Sequence, residues 1–338
     1  MERLTFQIIF VLAFLSSLVV LKSHGQSIQQ KIETVSGAIS PEDLGFTLIH
    51  EHIMSNFGAE PSDAESYDED KLFQQIIPYL KNLKESGVET IVDCTTAYFG
   101  RRVDLLKTIS EASGIKIITN TGFYGAAADK YVPEFAYTAS PTELAHLWIN
   151  EYEDGISGTG IKPGFIKLAF DAGDPSTLDL KLFEAGIITH LATGLTIAVH
   201  TGDNQKAVKA QLDLLHKHNV DPSAWIWVHA SQSSDIAYLI EIASQGAWIS
   251  LDDVNKENIS SYLEMLKIFK SEKLLEKVLL SHDGNGFPRG GEIRPFDAIT
   301  NSLIPALLEN AFTESEINQL LVINPSNAFT IRVRKSQS

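Results

Sequence analysis

The sequence is poor in cysteine and in basic residues, and both shortages exclude classes of protein. Its 338 residues include a single cysteine, Cys94, so an intramolecular disulfide is excluded, and the apolar run around it predicts a packed core thiol. There are 27 Lys and Arg against 43 Asp and Glu, a formal net charge of −16. Nucleic acids and anionic membranes would be repelled by such a surface. A small molecule is therefore the expected partner.

Repeats, low-complexity tracts and linkers are missing too, which excludes solenoids and predicts one domain over residues 26–338. One long apolar run, Ile8 to Leu21, follows Arg3 and precedes small residues of the kind that signal peptidase requires. We predict a signal peptide over residues 1–25, cleaved near Gln26, and a secreted or periplasmic protein without stable membrane insertion. A retained membrane anchor is the alternative, because the run approaches the length of a span.

Strand-like runs alternate with amphipathic helices from Gly45 onward. The eight predicted strands are Gly45–His52, Val88–Thr95, Ile115–Thr121, Gly164–Phe170, Leu195–His200, Ala224–His229, Ala247–Leu251 and Lys277–His282. Helices are predicted over 68–85, 101–112, 141–153, 176–193, 204–219, 234–245 and 256–276, with further helices from residues 296 and 313. The first strand lacks the glycine-rich phosphate loop of a doubly wound sheet, so the pattern predicts a (β/α)8 TIM barrel.

The first strand ends in the triplet His50-Glu51-His52. Residues i and i+2 of a strand point to the same face, so the two imidazoles project together and Glu51 points toward the scaffold. Two such histidines can converge on one metal ion. Alternatively, they are ordinary polar residues satisfied by hydrogen bonds at the strand end.

Four more ionisable residues lie at C-terminal strand ends: Lys167, His200, His229 and Asp283 end the fourth, fifth, sixth and eighth strands. In a barrel these ends converge on one mouth, where the active sites of this fold form. With His50 and His52 they supply nitrogen and oxygen ligands for a pair of zinc-like ions.

Lys167 lies in the apolar run Pro163–Phe170, where burial would lower the pKa of its ammonium group. The neutral amine can take up carbon dioxide, and the resulting carbamate could bridge two metal ions. Pairing of the lysine with a buried carboxylate is the alternative, because an unpaired buried charge is costly.

Five segments together resemble the phosphotriesterase family of the amidohydrolase superfamily, which includes phosphotriesterase-like lactonases. They read G-F-T-L-I-H-E-H, G-F-I-K-L-A, A-V-H-T, W-V-H-A and L-L-S-H-D-G, and the similarity spans essentially the whole mature chain. The resemblance implies a hydrolase with two divalent metal ions, expected to be zinc, and it suggests a homodimer. It implies six metal ligands: His50, His52, a carboxylated Lys167, His200, His229 and Asp283. Asp283 would also collect the proton.

Two positions depart from the family pattern. Gln232 stands where relatives resembling known phosphotriesterases carry a proton-relay aspartate, with Asp235 three residues further on. Asp253 stands where they carry a histidine or arginine, and its carboxylate at the mouth would favour a neutral or cationic substrate. Alternatively, Asp253 is an N-terminal residue of the following helix.

Tyr124 matches a tyrosine that contacts the substrate oxygen in lactonases of this family, where phosphotriesterases carry tryptophan. A tyrosine packing at the barrel rim is the alternative. The glycine- and proline-rich segment 284–295 is expected to shape the pocket, and His282 is expected to be structural. The preferred function is hydrolysis of a lactone or carboxylic ester, with phosphotriester hydrolysis or a catalytically idle metal-binding barrel as alternatives.

Overall fold

The computed structural model describes residues 30–60 and 66–336. The predicted signal peptide and its cleavage site lie outside these residues. Within the described ranges, no helix is long and apolar enough to cross a membrane.

An antiparallel hairpin that the sequence analysis missed precedes the barrel. It consists of β1 (Ile32–Thr34) and β2 (Gly37–Ile39), and Gly37 turns the chain with a φ of 115°. Such a conformation favours glycine because a Cβ would clash with the backbone. Ile32 of the hairpin is buried against the barrel interior, and the amide of Val35 donates to the carbonyl of Ile117 at 2.9 Å. The hairpin therefore caps the N-terminal end of the barrel.

The eight predicted strands form the barrel, as the alternating pattern predicts. They are β3 (Thr47–His52), β4 (Thr90–Asp93), β5 (Lys116–Ile118) with β6 (Asn120–Thr121), β7 (Phe165–Ala169), β8 (Thr196–His200), β9 (Trp225–Val228), β10 (Trp248–Leu251) and β11 (Val278–Leu280). All their pairings are parallel. The predicted third strand is split at Thr119 into β5 and β6. A short β12 (Gly284–Asn285) after β11 pairs with β3, and the amide of Asp283 donates to the carbonyl of His50 at 3.0 Å, which closes the barrel.

Helices surround the strands, and most of them bury apolar residues. They are α1 (Glu69–Glu85), α2 (Val103–Ser113), α3 (Phe135–Thr138), α4 (Pro141–Asp154), α5 (Thr177–Thr193), α6 (Gln205–Lys217), α7 (Ile236–Ser244), α8 (Ile259–Ser271), α9 (Ile304–Glu309), α10 (Glu314–Asn318) and α11 (Asn324–Phe329). In α1 the buried residues are Leu72, Ile76, Leu80 and Leu83, one stripe at helical spacing. The predicted helix over 256–276 is three residues shorter at its start, since α8 begins at Ile259.

The barrel interior is apolar below the level of the strand ends. Cys94 is buried there as a free thiol, as predicted, together with Ile49, Val92 and Phe165. Phe329 of α11 packs edge-on against Phe165, with ring centroids 5.5 Å apart. The histidines of the strands, His50, His52 and His200, lie at the opposite, C-terminal end.

Candidate metal centre

The two histidines of β3 point into the barrel mouth and meet the aspartate that follows β11. His50 Nε2 lies 3.4 Å and His52 Nε2 3.3 Å from Oδ1 of Asp283. Ligand atoms of these three residues all lie within 4.8 Å of one another, which is close enough for one metal ion. Asp283 has a φ of 50°, in the left-handed region that non-glycine residues rarely adopt. Backbone strain of this kind concentrates at functional sites.

Glu51, between the two histidines, points toward the scaffold as strand alternation predicts. Its carboxylate accepts hydrogen bonds from Ser281 Oγ at 2.6 Å, His282 Nδ1 at 2.7 Å and the Gly284 amide at 2.7 Å. His282 in turn accepts from the Ile299 amide through Nε2. Both residues therefore hold the strand-eight segment against β3, and His282 has the structural role expected of it.

His200 and His229, at the ends of β8 and β9, complete a cluster of four imidazoles. Their ring centroids are 4.3 Å apart, and those of His50 and His229 are 4.9 Å apart. Burial and the neighbouring His229 and Lys167 hold the pKa of His200 well below its ordinary value. His200 is therefore a neutral imidazole, the form that binds metal.

Asp252, which follows β10, orients two of these histidines and was missed by the sequence analysis. Its fully buried carboxylate accepts from His50 Nδ1 at 2.9 Å and from His229 Nδ1 at 2.7 Å. Ser250 Oγ adds a third hydrogen bond at 2.8 Å. Although burial opposes ionisation, the interactions with His229 and His50 hold the pKa of Asp252 well below its usual range.

An ionised Asp252 can only accept hydrogen bonds, so both Nδ1 atoms carry the proton and both Nε2 atoms are left to bind metal. Burial and the charge of Lys167 lower the pKa of His50 to about 3, consistent with a neutral ring. His52 is oriented in the same way by Thr95: its Nδ1 lies 2.9 Å from Thr95 Oγ1, which itself donates to the Met54 carbonyl. Three imidazoles therefore present their Nε2 atoms to the mouth.

Lys167 lies in the middle of β7 and not, as was predicted, at its end. It is fully buried, and burial lowers the pKa of its amine. Its Nζ has no hydrogen-bond partner among the described residues. The alternative of a lysine paired with a carboxylate is therefore wrong. Buried polar groups without a partner are rare and call for an explanation such as a missing ligand. A carbamate on Nζ, bound to metal through its two oxygens, fits this amine.

The remaining predicted residues lie around the mouth. The Tyr124 hydroxyl is 3.2 Å from His200 Nδ1, and its ring stacks on Phe99 with centroids 5.3 Å apart. The Tyr124 hydroxyl therefore reaches the histidine cluster. A tyrosine that only packed at the barrel rim would have its hydroxyl in water.

Asp253 is exposed and has a φ of 77°. Because α8 begins six residues later, the interpretation of Asp253 as a helix N-terminal residue is wrong.

The departures at Gln232 and Asp235 give no replacement for the relay acid. Gln232 is exposed in the short turn after His229. Asp235 caps α7 by accepting from the Tyr238 amide at 3.0 Å, and it also accepts from Gln205 Nε2 at 3.2 Å. Its carboxylate is thus engaged in holding α7.

A second residue that the sequence analysis missed is Arg294, which Pro295 follows in the loop after β12. Its Nη1 donates to Asp283 Oδ2 at 2.8 Å, on the side of the carboxylate opposite the two histidines. Nothing in the sequence distinguishes this arginine from its neighbour Arg289. Only the folded loop brings it to Asp283.

Comparisons with known proteins agree with this geometry. The sequence profile of the phosphotriesterase family matches residues 30–329. The chain belongs to the phosphotriesterase family. It is therefore a metal-dependent, ester-hydrolysing enzyme, and the family is one of binuclear metal hydrolases. The barrel and the clustered histidines are what such a family member requires.

Individual phosphotriesterase-family members are similar over nearly their full length. The chain is 27% identical over 300 residues to the phosphotriesterase homology protein of Escherichia coli (strain K12), covering 86% of this chain and 100% of that protein. It is 29% identical over 315 residues to the aryldialkylphosphatase of Saccharolobus solfataricus, covering 87% of this chain and 97% of that protein. The structure of a mutant of a Deinococcus radiodurans PTE-like lactonase superposes on this chain with a TM-score of 0.80 at 28% identity. The match covers 88% of this chain and 99% of that one.

Proposed function

We propose that the enzyme hydrolyses a lactone or carboxylic ester at a centre of two divalent metal ions, with zinc as the metal. His50, His52 and Asp283 would hold one ion, His200 and His229 the other, and carboxylated Lys167 would bridge them. When bound, the ions would polarise the carbonyl oxygen and activate water as the nucleophile. The unpartnered Nζ of Lys167 is the observation that carries this assignment. The nitrogen-rich ligand set supports zinc.

The roles of the protein's own residues follow from their positions. Asp252 and Thr95 fix the tautomers of three ligand histidines before substrate arrives. Asp283 presents Oδ1 to the histidines and is the proposed acceptor of the nucleophile's proton. Tyr124 places a hydroxyl beside His200, where it can donate to the oxygen on which charge develops.

The substrate preference is tested by comparing Tyr124→Phe with wild type. We expect kcat/KM for a lactone panel to exceed that for an aryl phosphotriester in wild type. Tyr124→Phe should lower lactone turnover by about 10²-fold, the loss typical of one donor to a developing oxyanion. Steady-state kinetics on both substrate sets measure these ratios.

Tyr131→Phe is the matched control, because Tyr131 packs on the same Phe99 ring but has no hydrogen bond to the histidine cluster. It should keep lactone turnover near wild type. A large preference for the phosphotriester, together with unchanged lactone turnover in Tyr124→Phe, would favour the alternative of phosphotriester hydrolysis. The similarity to an aryldialkylphosphatase keeps this second function in the comparison.

We also propose that the protein is exported, because the apolar run after Arg3 and the small residues behind it are typical of a secretory signal. N-terminal sequencing of the exported protein should return a chain that begins near Gln26. A sequence that begins at Met1 would instead indicate a retained anchor.

A further inference from the structure

Arg294 is held at the mouth by its backbone. Its amide donates to the Asn285 carbonyl at 2.9 Å, and its carbonyl accepts from the Asn285 amide at 2.8 Å. Asn285 belongs to β12, which pairs with β3 of the barrel. Two residues later, Phe296 is fully buried, and its amide donates to the Tyr79 hydroxyl at 2.8 Å. The Cα of Arg294 is therefore fixed to the barrel.

The Arg294 side chain is only partly satisfied in this position. Nη1 donates to Asp283 Oδ2, and the guanidinium lies over the Phe57 ring, 5.4 Å from its centroid. The Nε atom is buried, and none of the described residues accepts a hydrogen bond from it. The side chain as a whole is 42% exposed. A guanidinium carries five N–H donors, so a partly exposed one can keep its hydrogen bond to Asp283 and still donate to an incoming acceptor.

A carboxylate is the acceptor that matches this geometry. It can accept two parallel hydrogen bonds from the planar donors of a guanidinium, an arrangement that a lysine ammonium cannot provide. A flat aromatic ring such as Phe57 beneath the guanidinium restricts its tilt and favours one plane of approach. Asp253 is also exposed near the mouth, and solvent and salt weaken its through-space repulsion of an anion that Arg294 would bind by direct hydrogen bonds.

Building on the proposed hydrolytic function, we propose that Arg294 determines specificity by binding a carboxylate group of the substrate that is separate from the scissile ester. The preferred substrates are therefore monoesters or lactones that carry a free carboxylate. This reverses the expectation of a neutral or cationic substrate drawn from Asp253 alone.

Binding of product analogues tests the proposal without catalysis. Glutarate and its monoamide, glutaramate, share one carboxylate for the metal centre and differ only at the other end. By isothermal titration of the metal-loaded enzyme, glutarate should bind about 10- to 100-fold more tightly than glutaramate, the range for a charge-assisted hydrogen bond. In Arg294→Gln the ratio should fall to about one, and in Arg294→Lys it should be intermediate, because the charge remains without the fork.

Arg289→Gln is the matched control from the same loop. Its guanidinium lies over the Tyr67 ring and donates to Asn56 Oδ1 at 3.4 Å, away from Asp283. This variant should keep the wild-type ratio. A wild-type ratio near one, or a ratio that Arg294→Gln leaves unchanged, would overturn the assignment. Metal content measured on every variant shows whether a change in binding comes from lost metal. If Arg294→Gln loses metal, the ratio in Arg294→Lys tests the assignment, and an intermediate ratio supports it.

Kinetics separate this proposal from the proposed function. Monophenyl glutarate should exceed the phenyl ester of glutaramic acid in kcat/KM by a similar factor in wild type, and the factor should disappear in Arg294→Gln. Turnover of both esters without discrimination would contradict the role of Arg294 and leave ester hydrolysis intact. Selective binding of glutarate without turnover of either ester would support the role of Arg294 and contradict ester hydrolysis.

Discussion

Replacing Lys167 by alanine is expected to remove bound metal and activity together. The amine is fully buried and has no hydrogen-bond partner in the described part of the chain, and its proposed carbamate would bridge the two metal ions. Metal ions contribute several kcal/mol of transition-state stabilisation, so kcat/KM should fall by about 10²- to 10⁴-fold. Metal per chain, measured by inductively coupled plasma spectrometry, should fall in parallel. Added formate or acetate should restore part of both, because either anion can occupy the space left by the carbamate.

Lys116→Ala provides the control for this experiment. Lys116 is also a barrel-strand lysine, the first residue of β5. Its ammonium is partly exposed at the N-terminal end of the strand and pairs with Glu89 at 3.0 Å. Its loss should leave metal content and turnover close to wild type. Retention of both metals and full activity by Lys167→Ala would show that the bridge is assigned to the wrong residue.

Asp252→Asn should weaken metal binding about 10- to 100-fold, the usual loss when a group that orients a ligand is changed. An amide can offer one acceptor oxygen, whereas the carboxylate accepts from His50 Nδ1 and His229 Nδ1 through separate oxygens. One imidazole then faces an NH2 group and can adopt the other tautomer, which places a proton on its Nε2. Competition with a chromogenic chelator measures the dissociation constants.

The neighbouring Asp253→Asn is a matched control for metal affinity, because Asp253 is exposed and its carboxylate is not bonded to any of the four histidines. Its dissociation constants for metal should equal those of wild type. Equal losses of metal affinity in the two variants would mean that removing any negative charge near the mouth weakens binding. The orienting role of Asp252 would then be wrong.

The architecture was predictable because barrel strands carry a strong local signal. Runs such as Phe165–Ala169 are short, apolar and separated by amphipathic helices, and parallel strands place their C-terminal ends at one mouth whatever the loops do. The placement of His50, His52 and Asp283 together follows from this rule. Sequence separation therefore did not hide the central cluster.

The parts that were missed depend on contacts between segments far apart in sequence. Asp252 directly follows a strand, so its position was a usable signal, but its role appears only when it meets His50, 202 residues away. Arg294 depends on the path of a loop that local patterns do not determine. The start of α8 was misplaced because Asp253 and Asn258 are both residues that favour helix N-termini, and sequence alone does not choose between them.

The central claim is that two metal ions are bridged by a carboxylated Lys167. The most direct test is a crystal structure of the metal-loaded enzyme with anomalous data collected at the zinc edge. We predict two anomalous peaks about 3.5 to 4 Å apart between the four histidines, with density for a carboxylate continuous with Lys167 Nζ. A single peak, or two peaks beside an unmodified lysine, would contradict the account.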